Sequence, residues 1–378
     1  MADLPPEIMT EILWRFPAKF LVEQRFVCRS WFSLISSPPF TRKHATLSTL
    51  DGANTPKRKI IVRVHGCIDR LVCYSFQDSY QSTSINFFRE EFPDYPFKNL
   101  PSEFYFDIIG SCDGLVCVLV GRTYTIFLWN PCTIDYKILP DLGESSYVWK
   151  YGFGYDYKSD DYKVVITLVD YGPDQTRIYK SMLYTLRTKS WRRIQDYPHD
   201  GNTVDSKSSV FVRGALHWLV KINSTMVINS LDLASETYLQ VPKPDYSSFS
   251  NDYRLGAWSG CLFIQLPNCS ANQYELWVMR EYGVRESWTK SITIPFCKFR
   301  RNHLHFSTVT WFSGKGIILF NFHERRFAYY NAKDNSIIEL TDHYNGWFHP
   351  YGHYVYVESL VSPNAYDKLG ANTSRLLN

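Results

Sequence analysis

The sequence predicts an N-terminal all-α module followed by an all-β propeller of about six blades. Three observations predict it. Apolar residues between positions 5 and 37 recur at three- and four-residue steps, the period of one helix face. From about residue 58 the chain changes to short strands broken by Gly, Asn, Asp and Pro. Within that β region a single strand-and-turn unit returns every 46 to 55 residues, the period of a four-stranded propeller blade.

Composition agrees with a folded body of this kind. The chain has 378 residues, 45% hydrophobic and 21% charged, which suits two domains or one large symmetric one. Its 27 Tyr, 25 Phe and 11 Trp favour pleated strands. A formal net charge of +4 argues against a nucleic-acid partner, and no stretch has the apolar length of a membrane span. The opening "MADLPPEIMTEILWRFP" carries acids where a secretory leader carries bases. Nine cysteines without paired spacing predict reduced thiols, and hence a cytoplasmic or nuclear protein. On that expectation the sequons at Asn223, Asn268 and Asn372 are chance matches, and no cofactor is expected.

The α module is read from its N-terminus. Pro5 and Pro6 suit a helix start, and Ile8, Met9, Ile12, Leu13 and Phe16 form a stripe that Pro17 ends. A second run places Val27, Trp31, Leu34 and Ile35 on one face and stops at "SSPPF". Helices this short are marginal alone, and their surplus apolar surface needs a partner.

The string "LPPEIMTEILWRFPAKFLVEQRFVCRSWFSLISSPPF" resembles the F-box, with Leu4-Pro5, Glu7, Glu11-Ile12-Leu13, Arg15, Pro17-Ala18-Lys19, Leu21, Val27-Cys28, Ser30-Trp31 and Leu34-Ile35-Ser36 in matching places. Phe16 and "FLVEQRF" depart from the usual pattern. The resemblance implies docking onto the Skp-type adaptor of a cullin–RING ubiquitin ligase, through Leu4, Pro5, Ile8, Ile12, Leu13, Pro17, Leu21, Val27, Trp31 and Leu34. Recognition of this kind lays apolar helix faces into a groove.

In the β body the recurring unit is an apolar strand, a polar turn and a short following strand. It is seen in "IFLWNPCTIDYKILP", "SMLYTLRTKSWRRIQDYP", "INSLDLASETYLQVPKP", "YELWVMREYGVRESWTKSITIP" and "FAYYNAKDNSIIELTDH", aligned on Trp129, Tyr184, Leu231, Trp277 and Tyr330. A looser first unit, "KIIVRVHGCIDRLVCYSF", makes six, and "HYVYVESLVSP" supplies a strand expected beside the first blade. An open β-sandwich would show similar strand spacing. The domains are then a helical domain at 1–40, a linker at 41–57, the propeller at 58–363 and a tail at 364–378.

Cys112 in "GSCDG" has the glycine spacing of a nucleophile elbow, but the following "LVCVLV" is strand-like where an elbow needs a helix. Glycine returns at the equivalent corner in "VFVRGALHWLV", "YRLGAWSGCLFIQL" and "TWFSGKGIILF", so a hairpin turn explains it better than catalysis. Asp160 and Asp161 read as turn residues. The pairs His303/His305 and His349/His353 lack the further ligands of a metal site.

The segments "SCDGLVCV", "LWNPCT", "YGFGYD", "DDYKVV" and "GALHWL" look like the F-box-associated domain of plant F-box proteins, a kelch-like substrate-binding module. Most of the double glycines of kelch repeats are missing here. S-locus F-box proteins, which recognise pistil ribonucleases, share these motifs with many other members, so an S-ribonuclease is one possible target class. The two resemblances together imply a non-catalytic substrate-recognition subunit of a Skp–cullin–F-box (SCF) ligase. The alternative is a propeller enzyme with an F-box-like cap. Target contacts are expected on the long connections between blades, at Tyr147, Trp149, Tyr246, Phe249, Arg300, Arg301, Trp347 and Phe348, with Arg325 and Arg326 in a nearby short loop.

Overall fold

The computed structural model describes residues 5–49, 58–65, 70–78, 85–91, 95–99, 101, 104–121, 123–143, 147–174, 176–198, 202–203, 207–222, 225–245, 253–295, 308–312, 317–322, 326–340 and 349–367. Two compact units divide the chain, one of residues 1–141 with 352–378 and one of residues 142–351.

Four helices open the first unit: α1 (Pro6–Leu13), α2 (Ala18–Gln24), α3 (Arg29–Ile35) and α4 (Pro38–Thr49). Pro5 and Pro17 stand at the N-caps of α1 and α2, where a missing N–H costs nothing. The helix α4 corrects the expected linker at 41–57. The run that carries Trp31 does stop before Pro38, with α3 ending at Ile35, but Pro38 and Pro39 then occupy the first turn of a new helix, whose Thr41 amide donates to Ser37 O at 3.0 Å. Phe40, His44 and Ala45 of α4 are buried.

The strands follow as β1 (Arg58–His65), β2 (Arg70–Asp78) and β3 (Ile85–Glu91); β4 (Phe106–Cys112), β5 (Leu115–Val120), β6 (Thr125–Trp129) and β7 (Tyr136–Ile138); β8 (Tyr147–Asp156), β9 (Asp161–Tyr171), β10 (Arg177–Thr185) and β11 (Ser190–Arg193); β12 (Asn202–Thr203), β13 (Val210–Val212), β14 (Ala215–Ile222), β15 (Thr225–Asp232) and β16 (Thr237–Val241); β17 (Arg254–Trp258), β18 (Cys261–Asn268), β19 (Gln273–Met279) and β20 (Trp288–Pro295); β21 (Thr308–Phe312), β22 (Ile317–Phe322), β23 (Arg326–Asn331) and β24 (Ser336–Leu340); and β25 (His349–Val357). They form six sheets, each a blade of a six-bladed β-propeller. As expected, the last strand returns to the first sheet, whose order is β25-β1-β2-β3.

The residues on which the sequence units align all fall on third strands: Trp129 on β6, Tyr184 on β10, Leu231 on β15, Trp277 on β19 and Tyr330 on β23. All are buried except Trp277, which is half-buried. Trp129, Leu231, Trp277 and Tyr330 each lie in or against an apolar cluster shared by two sheets, so the repeat marks a position where large side chains pack.

Three corners between first and second strands are two-residue turns with both φ values positive: Asp113-Gly114 (50° and 82°), Arg213-Gly214 (49° and 80°) and Ser259-Gly260 (46° and 72°). They close the pairs Cys112 with Leu115, Val212 with Ala215 and Trp258 with Cys261. Such turns match the twist of the strands they join, and glycine takes the positive φ without strain. Cys112 is therefore a strand residue beside a hairpin turn. Its buried thiol is pushed well above the ordinary range by desolvation and then by Asp113.

In the second unit, buried Lys163 bridges two blades. Its ammonium contacts Asp156 Oδ2 at 2.9 Å and Glu236 Oε1 at 3.1 Å, and donates to Leu233 O at 2.6 Å. Asp161 accepts backbone hydrogen bonds from Tyr162 (2.8 Å) and Arg187 (3.0 Å), which is turn architecture rather than a paired-carboxylate site.

His217 on β14 is fully buried, with Nδ1 donating to Val210 O at 3.1 Å and Nε2 accepting from Tyr282 Oη at 2.6 Å. Burial lowers its pKa to about 4. The unfolded chain binds a proton near pH 6.5, the folded one only near pH 4, so stability falls as pH drops through this window. Urea unfolding should show a loss of about 3 kcal/mol from this group between pH 7 and pH 4, and His217→Gln should flatten that slope.

The turn glycines differ in surroundings. A Cβ on Gly114 would lie 2.6 Å from Val357 O and still closer to the Ser359 side chain, whereas one on Gly260 would meet nothing within 4 Å. Gly260→Ala should cost about 1 kcal/mol for the backbone conformation alone, and Gly114→Ala clearly more, read as the difference between their thermal unfolding midpoints.

Candidate functional site

The helical module has an inner and an outer apolar face. Leu13, Ala18, Leu21, Ile35 and Phe40 form a buried cluster, with Met9, Trp14, Val22, Trp31 and Leu34 packed around it. The broad stripe read on α1 is two adjacent rows. Met9 and Leu13 point in, while Ile8, Ile12 and, past the helix end, Phe16 remain 40–48% exposed.

This division corrects several of the expected contacts. Leu13 and Leu21 are only 1% and 0% exposed and hold the helices together; they do not face outwards. Trp31 and Leu34 are half-buried against the same cluster. Pro5, Ile8, Ile12, Pro17 and Val27 are exposed, and Leu4 lies outside the described residues.

The structure adds four exposed rings that were not among the expected contacts, although Phe16 was read in the apolar stripe. Phe16 stacks on Phe20 with centroids 4.9 Å apart, and Phe26 lies 6.2 Å from Phe32. The Arg25 guanidinium sits 5.1 Å from the Phe26 ring centre. Phe26 and Val27, in the turn between α2 and α3, are 69% and 64% exposed. The available signal was Phe16 itself, which extends the outer row Ile8-Ile12 by one more turn. Grouped apolar side chains in water mark an interaction surface.

Of the residues expected to touch a target, Tyr147 opens β8 and is 67% exposed. Trp149 is corrected. It packs between Tyr179 and Tyr197, at 4.4 and 4.9 Å, with the Lys150 ammonium 4.8 Å from its ring centre. A bulge at this point of the β8–β9 pairing accompanies its inward placement. Arg326 begins β23, but its side chain lies outside the described residues, as do Tyr246, Phe249, Arg300, Arg301, Arg325, Trp347 and Phe348. At the same blade end as Tyr147, the exposed Tyr171, Arg177 and Ile178 flank the short β9–β10 connection. They were missed because, apart from the short loop with Arg325 and Arg326, only the long connections between blades were read as contact loops.

His303 and His305 lie outside the described residues, while His349 and His353 both fall within β25. No group of three or more potential metal ligands occurs among the described residues.

The chain matches the F-box domain over residues 1–43 and the F-box associated beta propeller domain over residues 59–345. It belongs to the F-box proteins that carry this propeller. An F-box/kelch-repeat protein of Arabidopsis thaliana is 29% identical over 380 residues, covering 96% of each chain. F-box protein CPR1 of the same plant is 26% identical over 371 residues, 90% of this chain and 84% of that one. Alignment with the solved structure of TolB from Acinetobacter baumannii covers 84% of this chain and 70% of that one at 8% identity, with a TM-score of 0.49, a likeness too distant to bear on function.

The two rows of α1 should separate in stability measurements. Leu13→Ala should destabilise the helical module by about 2–5 kcal/mol, whereas Ile12→Ala should stay within about 1 kcal/mol of wild type, as read by amide exchange in α1 to α3.

Proposed function

We propose that the protein is a non-catalytic substrate receptor of an SCF ubiquitin ligase. Its helical module docks on a Skp-type adaptor, and its propeller presents a target protein to the ligase. The observation that carries this reading is the outer face of the F-box, where Ile8, Ile12, Phe16, Phe20, Phe26, Val27 and Phe32 stay exposed although the module has its own buried cluster. Family membership supports it, since F-box domains join SCF assemblies in general. The described cysteines are all free, which fits a cytosolic or nuclear setting. The target contacts proposed are Tyr147, Tyr171, Arg177 and Ile178, on side chains that leave the blade edge for solvent.

The adaptor role is tested by capturing a purified Skp-type adaptor with the full chain. Each buried apolar contact contributes about 1.5 to 3 kcal/mol, so the double change Phe26→Asp with Val27→Asp should weaken capture by about 100-fold or more. The variant should keep the wild-type circular dichroism spectrum, because both side chains lie outside the core. Unchanged capture by this folded variant would overturn the reading.

A further inference from the structure

The N-terminal helical cluster contains residues from far along the chain. Leu360, only 5% exposed, is part of the core made by Leu13, Ala18, Leu21, Ile35 and Phe40, and Cys132 from the β6–β7 turn packs against it. A module of four short helices is below the size at which a core sustains itself, so each added apolar side chain matters.

Leu360 is held there by a segment that leaves β25 at Val357 and runs to Asp367. Its course is fixed by hydrogen bonds and ion pairs at intervals along it. Glu358 forms an ion pair with Lys59 of β1 at 2.9 Å, both side chains 7% exposed. Ser359 Oγ donates to Asp113 O at 2.5 Å, at the corner where Gly114 leaves no room for a Cβ. Asn130 Nδ2 donates to Ser359 O at 3.0 Å and to Val361 O at 2.7 Å. Further on, Asn364 Nδ2 donates to Tyr136 O at 3.1 Å, and Lys137 pairs with Asp367 at 2.8 Å.

We infer that the segment from Glu358 to Asp367 is a strap that completes the F-box core, so that the helices are fully stable only when the last strand has joined the first sheet. The contacts belong to one continuous stretch: β25 beside β1, then Ser359 on the Asp113 corner, then Leu360 in the helical core. Losing the strand pairing would withdraw Leu360 from the helices. Folding at the C-terminal end of the chain thereby controls the stability of the module at its N-terminal end. A receptor with an incomplete first sheet would present a loosened adaptor surface, a consequence that rests on the docking role proposed above.

The test is hydrogen–deuterium exchange on full-length protein without adaptor, comparing wild type, Leu360→Ala, Leu360→Met and the milder Lys137→Ala at the solvent-exposed end of the strap. In Leu360→Ala, amides of α1 to α3 should exchange at least about 10-fold faster, while those of β14, β15, β18 and β19 keep wild-type rates. Leu360→Met should restore most of the protection, and Lys137→Ala should give a smaller acceleration confined to the helices and the strap. Unchanged helix protection in Leu360→Ala would overturn the inference, as would equal acceleration in those four strands, which would make Leu360 a contributor to general stability. Capture of a recombinant Skp-type adaptor is measured in parallel and should fall in step with helix protection. If wild type captures none while the exchange pattern holds, the docking role fails and the strap stands.

Discussion

The pairing of β25 with β1 sets the geometry of the N-terminal end of the molecule. A strand ladder fixes both register and direction, so the residues leaving it have no freedom to choose where they go next. Val357 ends the ladder beside the Asp113-Gly114 corner, and that position delivers Ser359 to its acceptor and Leu360 to the helices. Without the ladder, each of these contacts would have to overcome the entropy of ordering its own segment by itself. With it, they form as a set.

The buried ion pair between Lys59 and Glu358 fits the same logic. Burying two charges costs several kcal/mol per ion before their attraction is counted, so such a pair contributes little net stability. Its value lies in discrimination. A strap displaced by one residue would leave both charges buried and unmatched, a far larger penalty than an apolar contact slipping by the same distance. Asn130 acts in a similar way. Its Nδ2 binds two strap carbonyls while its Oδ1 accepts the amides of Cys132 and Thr133, so one side chain ties the strap to the turn whose Cys132 lies against the helices.

Much of this fold was legible in the sequence because its repeat has a physical cause. Five of the six sheets carry an apolar side chain at one position of their third strand, and Trp129, Tyr184, Leu231, Trp277 and Tyr330 reveal the period by occupying it. The turn glycines were legible for the same reason, since a positive φ restricts the choice of residue. What failed was local reasoning about sidedness. Pro38 and Pro39 were read only as the stop of α3, which does end before them, and the start of α4 was missed because nothing in a short window distinguishes the end of one helix from the first turn of the next. Leu13 and Ile12 are neighbours in one stripe, and which faces inwards depends on the helices packed against it. Trp149 belonged to a segment read as a loop, yet it packs inward against Tyr179 and Tyr197. "HYVYVESLVSP" was read as one strand beside the first blade, but β25 ends at Val357, and nothing in "ESLVSPN" marks the turns it meets more than 200 residues away or the helical core it enters.

The helical module faces a conflict that its own length cannot resolve. Rows of apolar side chains committed to an outer face are lost to the core, and four helices have few rows to divide. Ile8, Ile12, Phe16, Phe20, Phe26, Val27 and Phe32 all remain at least 40% exposed, which leaves Leu13, Ala18, Leu21, Ile35 and Phe40 as the buried centre. A small protein with that balance would ordinarily be only marginally folded, or would bury its outer face by aggregating. Leu360 and Cys132 change the balance by adding apolar surface to the inner side without taking any from the outer one. The propeller's first sheets therefore do more than follow the F-box in sequence. They supply the portion of its core that an exposed apolar face had removed.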